Sequence, residues 1–340
     1  MDYRIDISRL AREIQNRGWK KIGLQFPEGI KPYGVRIQKA LRDRIGENEA
    51  EFILSGGACY GACDVADEEL AQAGAEGMIH VGHSEIPAIM GKYRIPVIFE
   101  PAYSTKDIIP VVRKAVDAGF LSGKVSLSTT VQHLHLLPEV KKFLEEMGID
   151  SEIGKGGKRL SSPGQVLGCN FSAPLSVKDA DTHLFIGEGL FHALGIRLAS
   201  GVRVVAADPF TMEVRDMEVE GEKVMRQRFM AVHALKSATQ IGVVLSTLKG
   251  QERGSYASAL IRLGRKHGKE MIMIVTRHLS PSSLQNIGIK VIVSTACPRV
   301  ALDDYSLYLE HGITLSTPIE FLISLGIMDW EKYIFDSIEG

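Results

Sequence analysis

The chain has 340 residues, 45% of them hydrophobic and 24% charged, which suits two or three small globular domains. Its 40 basic and 41 acidic residues leave a net charge of −1, a balance that speaks against a broad nucleic-acid surface. No stretch approaches the roughly 18 uninterrupted apolar residues of a membrane helix. The N-terminus mixes both charge signs without an apolar signal region, so a cytoplasmic location is expected.

Taken in chain order, apolar runs predict strands at Ile22–Phe26, Glu51–Leu54, Met78–Val81 and Val97–Pro101. After the first comes a helical pattern in which Ile37, Leu41 and Ile45 recur every fourth residue and Gly46 ends the run. The same order returns with strands at Val125–Thr130, Ser151–Ile153, His183–Ile186 and Arg203–Pro209. Its helix shows Val140, Phe143, Leu144 and Met147 on one face and stops at Gly148. A third round has strands at Ile241–Ser246, Met271–Thr276, Val291–Ser294 and Ile313–Pro318, with Gly268 as the helix stop. Unit starts at 22, 124 and 241 are spaced by 102 and 117 residues.

Strands alternating with helices predict an α/β fold of three similar small parallel-sheet units about a pseudo-threefold axis. The expected units are residues 1–118, 119–237 and 238–340. Such packing brings three sets of loops to one centre, at the strand carboxyl ends where open parallel sheets bind ligands.

Each unit supplies one cysteine from a loop that follows a strand: Cys63, Cys169 and Cys297. A fourth, Cys59, lies four positions before Cys63. In a reducing compartment a disulfide framework is not expected. Three thiolates leave one iron of a 4Fe–4S cluster open, since four is the usual number. Zinc competes for any three thiols, although its usual Cys-x-x-Cys pair is absent. Ala66 stands where the conventional radical-SAM loop, which uses S-adenosylmethionine (SAM), needs its third cysteine, so that loop is excluded.

Several segments make the chain recognisable: Tyr60-Gly61-Ala62-Cys63-Asp64, Gln132-His133-Leu134-His135, Pro163 to Asn170, and Phe185 to Gly189 with His192. Asp208-Pro209, Lys249-Gly250-Gln251 and Ala296 to Tyr305 complete the set. On these segments, which span nearly the whole chain, it resembles the archaeal 2-(3-amino-3-carboxypropyl)histidine synthase family of diphthamide biosynthesis. The resemblance implies one 4Fe–4S cluster per chain, held by Cys63, Cys169 and Cys297, with SAM as substrate at the open iron. Reductive cleavage would release a 3-amino-3-carboxypropyl radical and methylthioadenosine, and the radical would add to a histidine of translation elongation factor 2. Also implied are an electron donor and a homodimer, with no direct nucleic-acid or membrane partner. Cys59 falls outside the shared pattern.

Gln165, Gly187, Gly189, His192 and Asp208 lie in matching segments and are candidates for contact with SAM. Gly187-Glu188-Gly189 reads equally well as a tight turn into a helix, and without a third glycine at 192 it is no dinucleotide fingerprint. His133 and His135, if still extended, would point the same way; the shared motif implies pocket lining or hydrogen bonding for them rather than metal ligation. Asp303-Asp304 reads as a helix cap, a surface pair or a dimer contact. Two other functions compete: a quinolinate-synthase-like 4Fe–4S dehydratase, and a non-catalytic partner subunit.

Overall fold

The computed structural model describes residues 2–339. A two-residue strand, β1 (Tyr3–Arg4), opens the chain. The first large sheet holds β2 (Lys21–Gln25), β3 (Glu51–Leu54), β4 (Gly77–Val81) and β5 (Val97–Glu100), all parallel, in spatial order β3-β2-β4-β5. β6 (Tyr103–Ser104) then returns to pair antiparallel with β1.

The second sheet repeats that order as β8-β7-β9-β10, from β7 (Val125–Thr129), β8 (Ser151–Ile153), β9 (Thr182–Ile186) and β10 (Arg203–Asp208). A hairpin adds β11 (Glu213–Asp216) antiparallel to β10, a strand the apolar-run pattern did not predict because its alternate residues are exposed. The third sheet is β13-β12-β14-β15, from β12 (Gln240–Ser246), β13 (Glu270–Thr276), β14 (Val291–Ser294) and β15 (Thr314–Ser316).

Parallel neighbours need long crossovers, and the crossover helices cover the sheet faces. Every residue of β4, β7 and β9 is accordingly buried. That double burial is why these strands read as unbroken apolar runs. Pro101, Pro209 and Pro318 fall just beyond their strands rather than within them, since proline cannot donate to a ladder. Pro318 instead starts the helix Pro318–Ser324, where the Glu320 carboxylate reaches back to accept the Thr317 N–H.

In the first sheet Ile37 and Leu41 of the helix Gly34–Ile45 pack with Leu24, Ile79 and Val81. Gly46 follows that helix directly, whereas Gly148 and Gly268 each lie one residue beyond the cap, both at φ 75°. Met147 leaves the expected apolar face and is 42% exposed, because the helix Leu137–Glu146 has already ended. Lys141–Glu145 and Lys142–Glu146 pair across its solvated side.

Polar contacts tie the sheets together. Lys249 reaches Asp67, Arg277 reaches Asp64 at 3.5 Å, and Gln132 donates to the Gly82 carbonyl. The C-terminal segment then folds back: Phe335 and Ile338 are buried, and Asp336 pairs with Arg253 at 2.6 Å. Among the described residues no helix is long and apolar enough to cross a membrane.

Candidate metal centre

Cys63 follows β3, Cys169 follows β8 and Cys297 follows β14, so each large sheet sends one thiol from a strand exit. The three sulfurs lie close enough to act electrostatically on one another. Cys297 feels the charges of both Cys169 and Cys63, and Cys63 that of Cys169.

Two side chains bind these loops into one unit. Gln251 donates from Nε2 to Cys63 Sγ at 3.3 Å, and its Oε1 accepts the backbone N–H of Cys297 at 3.2 Å. Arg159, almost fully buried, points Nη2 at Cys169 Sγ at 3.8 Å and donates to the Gly250 carbonyl at 2.8 Å. Between them Gly250 presses on Cys63: a Cβ there would stand 2.4 Å from the Cys63 Cβ. Only glycine permits that approach.

Burial raises all three thiols. Cys63 is pushed up to about 11 by desolvation and then by Cys169, with the Gln251 hydrogen bond opposing. Cys297 rises well above the ordinary thiol value by desolvation and its two neighbours. Cys169 rises less, because Arg159 and Arg253 favour its thiolate. In the metal-free chain these groups are therefore thiols, and ligation must displace their protons. Three converging sulfurs with N–H groups aimed at two of them fit a thiolate-bound metal or cluster.

The Cys63 loop is held from behind. Asp64 is buried, its carboxylate faces His278 Nε2 at 3.3 Å and Arg277 at 3.5 Å, and its carbonyl accepts from Gln25 Nε2 at 2.8 Å. The Cys169 loop is held by the tail, where Ile338 N–H donates to the Cys169 carbonyl at 2.8 Å and Asn170 Nδ2 to the Ile338 carbonyl at 3.0 Å. Cys297 caps the helix Pro298–Asp303.

Cys59 is buried but joins a different group. Burial and then Asp64 push its thiol up to about 12, and its neighbours are His80 and His83.

The five residues expected against SAM separate into three places. Gln165 is held by protein: Oε1 accepts from Ser161 N and Oγ at 2.9 and 2.8 Å, and Nε2 donates to Ser84 Oγ at 2.7 Å. Gly187, Gly189 and Asp208 sit together at the carboxyl ends of β9 and β10. There Asp208 accepts backbone N–H groups from Gly189, Phe210 and Thr211 at 3.4, 2.8 and 3.2 Å. His192 is stacked on Phe185 at 5.4 Å, and its Nδ1 is buried without a partner. Burial and the Arg299 charge drop it to about 3. Arg299 lies over Phe191 at 4.7 Å and is held by Asp303 at 2.6 Å, which gives Asp303 an intramolecular role on a helix surface.

His133 and His135 do not point the same way. They lie on a 3-10 turn, Val131–Leu136, with His133 buried against Phe210 and His135 exposed beside Tyr103. Burial drops His133 to about 4. The chain stays extended through Thr130 and turns at Val131, and that turn rotates the two side chains apart.

Sequence reasoning missed Arg159, Gly250 and Gln251 as parts of the site, though Lys249-Gly250-Gln251 stood out as a motif. A basic residue in a loop ordinarily reads as solvated, and the Gly250 carbonyl that holds Arg159 lies in a distant segment.

A family model for diphthamide synthesis proteins matches residues 26–334. The chain belongs to the diphthamide synthesis family. It is 36% identical to the 2-(3-amino-3-carboxypropyl)histidine synthase of Pyrococcus horikoshii, over all of this chain and 95% of the relative. The synthase of Methanocaldococcus jannaschii is 29% identical, covering 99% and 94%. The crystal structure of Dph2 from Pyrococcus horikoshii with a 4Fe–4S cluster superimposes with a TM-score of 0.89 at 35% identity, over 100% of this chain and 95% of that one. Within the diphthamide synthesis family, then, the resemblance extends across all three sheets.

Proposed function

We propose that this chain is a 2-(3-amino-3-carboxypropyl)histidine synthase that carries out the first step of diphthamide biosynthesis, on a histidine of translation elongation factor 2. The observation that carries this reading is the meeting of Cys63, Cys169 and Cys297, one from each large sheet, around the Gln251 bridge. The three thiolates would hold a 4Fe–4S cluster with one iron left for SAM. When bound, the cluster supplies the electron that breaks one C–S bond of SAM, giving methylthioadenosine and the 3-amino-3-carboxypropyl group that is transferred.

The protein's own part is geometric and electrostatic. Gln251 and Arg159 direct N–H groups at two sulfurs and favour their thiolate forms. Arg299 stands two positions beyond Cys297 with its cation fixed over Phe191, and is suited to meet the carboxylate of SAM. Gly187, Gly189, Asp208 and His192 border the strand exits and shape the space around the substrate.

The three sheets are read as three similar units, 1–118, 119–237 and 238–340, about a pseudo-threefold axis. Their shared strand order supports that reading. The chain works in the cytoplasm as a homodimer, drawing electrons from a separate donor protein. It needs no dissimilar subunit, since no unit lacks its cysteine.

The test is anaerobic reconstitution of the purified chain with iron and sulfide, dithionite reduction, and addition of SAM and archaeal elongation factor 2. About four irons per chain are expected, with methylthioadenosine released and one histidine of the factor enlarged. Release of 5′-deoxyadenosine and methionine would overturn the assignment, as would activity that appears only with a second, related subunit.

A further inference from the structure

A second group of metal-binding side chains lies over the first sheet. Cys59 in the loop after β3, His80 on β4 and His83 in the loop after β4 each present one donor atom, all within 4.8 Å of one another. Cys59 and His80 are buried, at 5% and 0% exposure, and His83 is half-buried.

The proton positions follow from backbone groups whose roles cannot be exchanged. Ala66 N–H donates to Gln25 Oε1 at 3.0 Å, and the Asp64 carbonyl accepts from Gln25 Nε2 at 2.8 Å, so the amide can face only one way. His80 Nδ1 lies 2.9 Å from that same Oε1 and must be the N–H donor. His80 Nε2 therefore carries a lone pair, and it faces His83 Nδ1 at 2.9 Å with the Cys59 thiol beside them. An imidazole anchored through its outer N–H, with its inner lone pair turned toward other donors, is the usual posture of a metal ligand.

We propose that Cys59, His80 and His83 form a second metal site, distinct from the three-thiol centre, that takes one zinc ion with water as fourth ligand. One sulfur and two imidazoles suit zinc, and ligands at Zn–S about 2.3 Å and Zn–N about 2.0–2.1 Å in a tetrahedron lie roughly 3.3–3.7 Å apart. His80 Nε2 and His83 Nδ1, now 2.9 Å apart, would open by about half an ångström to reach that range, and the three donors already lie within 4.8 Å of one another. The ion would clip the start of the loop that ends in Cys63 to the end of β4. The site stands whether or not the proposed reaction is correct.

The holoenzyme, reconstituted anaerobically, is incubated with zinc chloride and desalted, and zinc and iron are counted per chain alongside Zn-edge X-ray absorption. The expected result is one retained zinc with iron unchanged, and a shell of one sulfur and two imidazoles. Cys59→Ser and His83→Asn should each lose the zinc and keep the iron, which also reports that they fold. Three results would overturn the site: no zinc retained by the unaltered holoenzyme, zinc gained only as iron is lost, or a shell lacking sulfur and imidazole. The first would leave His83 as a plain hydrogen-bond donor to His80, and the second would place the zinc on Cys63, Cys169 and Cys297.

Discussion

Gln251 and Gly250 divide the work at the three-thiol centre, one by what it donates and the other by what it lacks. The Gly250 backbone packs so closely on Cys63 that Gly250→Ala must displace the loop, an overpacking cost of about 1–3 kcal/mol. The expected outcome is a folded chain that takes up fewer irons on reconstitution, read by iron content and circular dichroism. The two close cysteines behave differently again. Cys59 sits with His80 and His83, so Cys59→Ala should keep the cluster irons and most methylthioadenosine yield, while Cys63→Ala loses SAM cleavage. Equal loss in both would mean that the first loop has been misread. Cys63, Cys169 and Cys297 stood out in the sequence because each follows a strand in a distinctive local motif. Gln165 and Asp208 stood out for the same reason, and both side chains brace loops: Gln165 joins Ser161 to Ser84, and Asp208 gathers N–H groups from Gly189 and Phe210. A motif marks a constrained position and does not say what constrains it.

At the scale of elements, predicted strands and observed ones agree within about two residues, because a strand covered on both faces is an apolar run with abrupt ends. The elements that escaped detection lack that cover. β11 is an edge strand, and the turn carrying His133 and His135 is too short to leave a period. The C-terminal segment escaped too, since nothing local marks its docking on the Cys169 loop. Its contacts include the Ile338 N–H to the Cys169 carbonyl and the Arg253–Asp336 pair, which is largely buried. A chain ending at Tyr333 should therefore fold around its three sheets but hold the cluster weakly. The measurement is the rate of iron loss to a chelator under anaerobic conditions. A rate equal to that of the full chain would show that the tail is dispensable.

For the whole molecule, burial of titratable groups sets a pH window for the metal-free chain. His83, His133 and His183 are dropped to about 4, and His192 to about 3, by desolvation. Their neutral forms are favoured in the fold, so the stability they contribute is present above about 6.5 and is lost as pH falls toward these values. Cys63 and Cys59 are raised to about 11 and about 12, so their contribution is full below about 9 and is lost as pH rises through those values. Denaturant midpoints of the apo chain should fall on both sides of a plateau between about pH 6.5 and 9. A profile flat down to pH 4 would contradict the burial of these imidazoles.

The tail contact also has a consequence in time. Proteins generally fold from the N-terminus as they are synthesised, and the three sheets are complete once β15 has emerged. The Cys169 loop is not, because the partner of its carbonyl is Ile338, which lies well beyond β15 in the chain. While that residue is still inside the ribosome, the loop remains open on one side. Iron and sulfide therefore meet a finished binding site only after that segment has emerged and docked, which makes the C-terminal segment the last part of the site to fall into place.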